Sequence, residues 1–348
     1  MKDLIQKSLI SLILVFVVIG IIAIYTRGHE ALLAISPMGL INFILACIFF
    51  LLGVLLWILS WAYLIRKEAN IPYSSLILVG FASLYGALTP IQLGTEALRS
   101  LTLKKRFSVP YSKSISASMI VKGTKFLILA VIFSLIILMF LSSTRLDSFA
   151  FFALLSGFLV IVLACLLFLL PLSKRIGLMI SRFFNFLARD IPLFGYLSEF
   201  FYNYSYYLKT ISVKSFLLIL FLSFLSFIFE FLALRFAFIS IEKDIGIFAL
   251  LVLFSLVSVL ERIPLLPRGI GAVEFIGFTY LNMVSRLEKV SRLTVSQIGA
   301  VLIIYDVVRL IIPTIISLII AFILRIRVEE ENNSKRKSFG IKTAIKDN

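Results

Sequence analysis

The chain has 348 residues, of which 61% are hydrophobic, and it contains several apolar runs long enough to cross a bilayer. Its formal net charge of +16 is concentrated in loops and in the C-terminal tail, without the aromatic-interleaved basic groove of a nucleic-acid-binding protein. The composition therefore predicts an all-α, polytopic helical membrane protein and argues against a nucleic-acid partner.

The first 39 residues predict one span and an outer loop. Lys2 and Lys7 precede an apolar run over 8–25, and no small-residue cleavage site follows that run. A cleaved signal peptide is the competing interpretation. The length of the run favours an uncleaved span with a cytoplasmic N-terminus.

Residues 40–171 predict a first membrane half. Spans are expected over 40–65, 115–141 and 149–170, whereas the apolar run over 75–89 is too short to cross about 30 Å at 1.5 Å per residue. That run ends at Pro90 and a basic block follows, so we expect a re-entrant hairpin that enters and leaves by the cytoplasmic face. An ordinary loop after a short span is the alternative. Lys122 and Lys125 share one face of the next span, either to reach the inner interface or to face a lipid-headgroup cavity.

Residues 172–214 predict a cytoplasmic linker. Arg175, Arg182 and Arg189 repeat every seven residues, while apolar side chains occupy another face. This pattern is typical of a basic amphipathic helix that lies in the interface and binds anionic lipid headgroups.

Residues 215–324 predict a second membrane half, followed by a basic, disordered, cytoplasmic tail over 325–348. The span over 215–240 contains Glu230 and Arg235, for which we expect structural ion pairs. An apolar run over 245–259 leads into a broken stretch, and a last span over 296–324 contains Asp306 and Arg309 on one face.

Two broken stretches, over 88–99 and 261–274, share a pattern. In each, a glycine follows a proline by four positions (Pro90 and Gly94, Pro267 and Gly271), and a glutamate comes two or three residues later. Broken backbone at membrane depth is tolerated only inside protein or beside a cavity, and paired breaks indicate a binding site at a repeat interface. We therefore predict six spans, two oppositely inserted hairpins and an inverted repeat pairing about 40–141 with about 215–324; eight spans are the alternative.

The two motifs resemble those of the flippase-like integral membrane proteins related to the transmembrane region of lysylphosphatidylglycerol synthases (multiple peptide resistance factor). The resemblance covers about residues 8 to 324 and lacks the soluble aminoacyl-transferase domain. It implies translocation or binding of a lipid rather than an enzymatic reaction. Ile91 and Gln92 stand where the family has a glycine pair, Arg268 replaces a further glycine, and Asp306 stands where the family has an arginine.

The expected site forms where the two hairpin tips meet and hold the phosphate of an anionic or aminoacylated phospholipid, or of another lipid-linked phosphate. The candidate phosphate contacts are Arg99, Lys122, Arg262, Arg268 and Arg309. Glu96, Glu274 and Asp306 are expected to pair with those cations in the empty site or to attract a cationic headgroup. The complete predicted set is Pro90, Gly94, Glu96, Arg99, Lys122, Arg262, Pro267, Arg268, Gly269, Gly271, Glu274, Asp306 and Arg309.

Other classes of function have less support. A non-transporting scaffold, or a membrane partner of a lipid-linked glycosyltransferase, stays open as the alternative. The cysteines Cys47 and Cys165 lie in separate apolar runs, and the single histidine, His29, lies in a short polar loop. We therefore expect no catalytic set, no metal and no cofactor.

Overall fold

The computed structural model describes residues 2–33, 35–88, 94–141, 148–169, 173–188, 211–262, 267–287 and 293–324, with short pieces between 195 and 205. The regular elements in these residues are all helices, which confirms the predicted polytopic helical membrane protein. The helices are α1 (Lys2–Thr26), α2 (Gly28–Leu33), α3 (Pro37–Ala69), α4 (Tyr73–Ala82), α5 (Gly94–Phe107), α6 (Tyr111–Leu141), α7 (Ser148–Leu169), α8 (Lys174–Leu187), α9 (Val213–Ile239), α10 (Ile247–Leu260), α11 (Ala272–Leu287) and α12 (Val295–Leu324).

Four described helices are long and apolar enough to cross a bilayer: Pro37–Lys67, Tyr111–Met139, Val213–Ile239 and Val295–Leu324. They coincide with four of the six predicted spans. Helices α1 and α7 lie where the other two were expected, and they contain shorter apolar segments, Val15–Thr26 and Gly157–Leu166. The total number of spans stays a prediction.

Local sequence sets the ends of the long helices. Ser36 and Ser212 accept hydrogen bonds from backbone amides in the first turns of α3 and α9, and Thr294 forms a capping box with Gln297 at the start of α12. At the other end of α3, Asn70 adopts a left-handed conformation that stops the helix.

The two halves are joined by close packing of α3 against α9. At the crossing, the Ser226 hydroxyl donates to the Gly53 carbonyl over 2.8 Å, and a side chain at Gly53 would come within 3.0 Å of the Ser226 carbonyl oxygen. Buried aromatic side chains of both halves, Phe50 and Phe126 from one and Phe227 and Phe254 from the other, belong to one core. This packing brings α6, α9 and α10 together around a polar interior.

Each half contains a long helix, a hairpin and a second long helix. In the first half α4 continues into a 3₁₀ turn over Leu84–Leu88, and α5 begins at Gly94; in the second half α10 is followed by a 3₁₀ turn over Pro267–Gly269 and then α11. The stretches 89–93 and 263–266, and with them Pro90, lie outside the described residues. The equal order of elements agrees with a repeat, but the inverted orientation stays a prediction.

The linker contains the expected helix. Helix α8 places Met179, Phe183 and Phe186 in exposed positions, with Arg175 and Arg182 also exposed. Arg189 and the tail lie outside the described residues.

Candidate functional site

A cavity of about 370 Å³ lies between the two halves. Its walls combine apolar side chains, such as Phe50, Phe126 and Phe168, with charged ones from both halves. The charged lining residues are four cations and three carboxylates: Lys122, Lys125, Arg262, Arg268, Glu96, Glu230 and Glu261. A lining that combines apolar side chains with more cations than carboxylates fits an amphiphile with an anionic group.

The first broken stretch contributes Glu96, the third residue of α5. One carboxylate oxygen, Oε1, lies 2.7 Å from Nζ of Lys122 on α6. The other oxygen, Oε2, is buried and accepts no hydrogen bond from a described residue. Lys122 is the more open partner, since 26% of its side chain is exposed against 4% for Glu96.

Arg99 lies one turn beyond Glu96 and is 1% exposed. Its Nε donates to the Ser83 hydroxyl over 2.9 Å, and its guanidinium carbon lies 4.4 Å and 4.9 Å from the ring centroids of Trp57 and Trp61. Its Nη2 has no hydrogen-bond partner among the described residues. Its positive charge therefore lies against two aromatic faces and one hydroxyl, with no carboxylate in contact among the residues that the structure describes.

The backbone of the second broken stretch turns through left-handed conformations. The φ angles are 47° at Arg268, 70° at Gly269 and 87° at Gly271. Glycine adopts such angles without strain, but arginine does not. Arg268 is held there by a reciprocal contact in which its Nη1 donates to the Arg309 carbonyl over 2.5 Å and Arg309 Nη1 donates to the Arg268 carbonyl over 3.0 Å.

Arg309 is the centre of the second half's polar network. It lies in a π-helical turn over Val307–Ile311, shortly before Pro313, which cannot donate a backbone hydrogen bond in α12. Its fully buried guanidinium contacts three carboxylates: Asp306 at 2.9 Å, Glu261 at 3.1 Å, and Glu274.

Glu274 is the third residue of α11, the same helical position that Glu96 has in α5. It uses both oxygens: Oε1 accepts from Arg309, and Oε2 accepts from the backbone amide of Gly271 at the start of its own helix. A carboxylate at this position also interacts favourably with the helix dipole.

A third ion cluster connects helices α6, α9 and α10. Glu230 on α9 accepts from Lys125 at 2.5 Å, from Arg262 at 3.2 Å and from the Ser226 hydroxyl at 3.1 Å. Arg262 also donates to the Ser258 carbonyl over 2.7 Å. This cluster ties the start of the second broken stretch to the first half.

The structure brings most of the predicted site residues together. Glu96, Lys122, Arg262 and Arg268 line the cavity. Arg99, Glu274, Asp306 and Arg309 are buried and are not among its lining residues. Gly94, Pro267, Gly269 and Gly271 are backbone positions of the two breaks, and Pro90 lies outside the described residues. As ligand contacts, all of them stay predictions.

Sequence reasoning missed several members of the site: Thr95, Lys125, Glu230 and Glu261 all line the cavity. Glu230 and Arg235 are both ion-paired, as expected, but Glu230 pairs inside the site while Arg235 pairs with exposed Asp244 at 3.3 Å. The available signal was the three-residue spacing of Lys122 and Lys125, because two cations on one helix face enter the same cavity together. Both lysines line the cavity, as expected for the second of the two interpretations that the sequence left open.

The charged groups suit anion binding better than metal binding. Among the described residues, no group of three or more side chains has the character of a metal site. Lysine and arginine offer hydrogen-bond donors to a phosphate, and arginine offers two in parallel.

Comparison with known proteins identifies one family. The family model described as "Lysylphosphatidylglycerol synthase TM region" matches residues 7–317 of the 348. No curated protein and no solved structure matches the chain.

Proposed function

We propose that this chain, which belongs to the family of the lysylphosphatidylglycerol synthase transmembrane region, binds a phosphate-bearing lipid headgroup in the cavity between its halves and moves that lipid across the bilayer. The family membership supplies the membrane setting and the relation to lipid chemistry. The substrate and the transport step are the proposal.

The observation that carries the proposal is the mixed lining of the cavity. Phe50, Val54, Phe126 and Phe168 supply apolar walls that suit acyl chains or the glycerol region, and cations from both halves lie beside them. A lipid presents the same two kinds of surface. A cavity for a polar solute would not need phenylalanine walls, and a site for a wholly apolar ligand would not bury charged side chains.

Three cations are the proposed phosphate contacts: Lys122, Arg262 and Arg268. Each lines the cavity, and they come from both halves. A phosphate held between them would replace carboxylate contacts that these cations make in the empty site, above all those of Lys122 and Arg262. The exchange of one anion for another keeps Lys122 and Arg262 paired.

Transport requires that the halves move relative to each other. The Lys125–Glu230 contact joins them at the cavity, so it is the ion pair that rocking of the halves would break and re-form. We propose that the protein lies in the cell membrane with both termini cytoplasmic, and that its two hairpins open to opposite faces.

Cysteine labelling tests this orientation. In a variant with Cys47 and Cys165 replaced by alanine, single cysteines are placed at Ser112 and Ser291. Opposed hairpins predict labelling of Ser291→Cys by an impermeant reagent outside intact cells and none of Ser112→Cys. Labelling of neither from outside would contradict the opposed arrangement.

Helix α8 is the proposed contact with anionic headgroups at the cytoplasmic face. Its exposed Phe183 and Phe186 would enter the interface while Arg175 and Arg182 meet the headgroups. Substitution on this helix tests this part separately: replacing Arg175 and Arg182 by glutamine should weaken binding of the protein to anionic vesicles without changing ligand affinity in detergent.

The direct test of function is lipid movement in proteoliposomes. A fluorescent phospholipid is quenched from outside by a membrane-impermeant reductant, and transport increases the quenched fraction beyond the outer leaflet. We expect flux for the wild type and for Arg235→Gln, whose ion pair with Asp244 lies outside the cavity, and strongly reduced flux for Arg262→Gln. Absence of flux with every lipid, for a folded protein, would favour the alternative of a non-transporting scaffold or a partner of a lipid-linked glycosyltransferase.

A further inference from the structure

The buried charges next to the first broken stretch do not balance. Lys122 is paired with Glu96, but Arg99, one turn along the same helix, has only hydroxyl and indole contacts among the described residues. These three groups therefore hold one excess positive formal charge. In a low-dielectric interior such a charge is costly unless an anion accompanies it.

Two unused hydrogen-bonding atoms show where the balance can be restored. Oε2 of Glu96 and Nη2 of Arg99 are both buried and without partners among the described residues. Residues three apart on a helix are neighbours on one face, so a rotation of the Glu96 side chain brings its carboxylate to Arg99. Arg99 can therefore bind the carboxylate of Glu96 once Lys122 binds another anion.

We propose that Lys122 receives the ligand's phosphate and that Glu96 then transfers from Lys122 to Arg99. This inference rests on the proposed function and adds a positioning role for Arg99. Before binding, Glu96 is paired with Lys122, and Arg99 has no carboxylate partner among the described residues; after binding, both cations are paired.

The exposure of the groups fits this sequence of events. In the Lys122–Glu96 pair, the lysine has the more exposed side chain and lines the cavity, so an incoming headgroup contacts it directly. Arg99 is buried behind the wall and is held in place by Ser83 and by the two indole rings. It is a positioning residue for Glu96 rather than a contact for the ligand.

The chain has a built-in reporter for the transfer. Its sequence contains two tryptophans, and both stack on the Arg99 guanidinium. When a carboxylate joins Arg99, the electrostatic environment of both indoles changes. Trp57 also lines the cavity, so emission is measured in a Trp57→Phe background, where Trp61 alone reports the transfer. Calorimetry reports binding itself.

The experiment titrates purified full-length protein in uncharged detergent with dihexanoyl phosphatidylglycerol, a soluble phosphodiester lipid. Wild type should show saturable binding and a change in tryptophan emission with the same midpoint. Glu96→Gln should bind at least as tightly, because the competing carboxylate is gone, but should lose the emission change. Arg99→Gln should bind about tenfold more weakly, because the displaced carboxylate then lacks a buried partner. Arg235→Gln is the matched control and should behave as wild type.

Two results would overturn the inference while leaving the proposed function intact. These are lipid binding without a change in tryptophan emission, and weaker binding by Glu96→Gln than by the protein with Glu96 intact. If the protein with Glu96 intact does not bind the lipid, both the inference and the proposed function fail. Should Arg99→Gln not fold, the isosteric Glu96→Gln variant still decides the question.

Discussion

The two broken stretches place a glutamate at the same position, the third residue of a helix, and pair it with a cation on the following long helix. In the first half Glu96 contacts Lys122 through one oxygen, and the lysine side chain is 26% exposed. In the second half Glu274 uses both oxygens, and its partner Arg309 is fully buried among three carboxylates and a backbone carbonyl.

The difference shows how one pattern can serve two purposes. The second half is a closed network in which the guanidinium fixes α10, α11 and α12 relative to each other. The first half contains unused hydrogen-bonding atoms. The buried polar side-chain atoms without partners among the described residues all belong to it, including those of Thr95, Glu96 and Arg99. We infer that the second half is the anchor and that the first half responds to ligand.

The largest expected effect is that of Arg309→Gln. This change leaves Glu261, Glu274 and Asp306 buried without their shared cation and should cost about 3–5 kcal/mol of stability. The apparent midpoint of thermal unfolding in detergent is the measurement. Arg309→Lys, which keeps the charge but not the geometry, should lie between this variant and wild type. An unchanged midpoint for Arg309→Gln would contradict the role of anchor.

Gly86→Ala tests the packing of the first hairpin. A Cβ at Gly86 would lie 2.5 Å from the carbonyl carbon of Gly94, so the two arms must separate, at a cost of about 1–3 kcal/mol. The control is Gly20→Ala, where a Cβ meets nothing within 4 Å and the helix gains propensity. Equal thermal midpoints for the two variants would mean that the close approach is not needed.

Arg268 separates backbone strain from side-chain contact. Both Arg268→Ala and Arg268→Gly lose the hydrogen bond to the Arg309 carbonyl. The alanine variant keeps the backbone strain of a left-handed φ, whereas glycine adopts this φ without strain. The glycine variant should be more stable than the alanine variant by about 1 kcal/mol. Thermal midpoints of the two variants give the comparison directly; the reverse order would exclude strain at this position.

Lys122→Gln should have the smallest effect on stability and a clear effect on ligand. Lys122 is partly exposed, and Arg99 can accept the carboxylate of Glu96 that the lysine leaves, so the cost should be about 1 kcal/mol or less and the thermal midpoint should barely move. Lipid flux and binding of phosphatidylglycerol should fall strongly, because the proposed phosphate contact is gone. A large loss of stability would instead make the first half a second anchor and remove the contrast between the halves.

The sequence predicted the elements of the site better than its contacts. Apolar run length identified the four long helices, and the proline–glycine pattern with a following glutamate located both breaks. Lys125 and Glu230 were missed because their contact joins residues 105 positions apart, and no local periodicity encodes such a pair. Glu261 was missed for a similar reason, since its partner Arg309 lies 48 residues away.

By itself, the sequence determined that this is a polytopic helical membrane protein interrupted at two related places, because the length of an apolar run and the backbone limits of proline and glycine are local properties. Only the tertiary structure decided which cation pairs with which carboxylate. Packing of α3 against α9 brings α6 and α10 around one cavity, and there the burial of each carboxylate and the reach of each cation select the pairs. Equal motifs thereby become an anchor in one half and a pair with spare hydrogen-bonding atoms in the other.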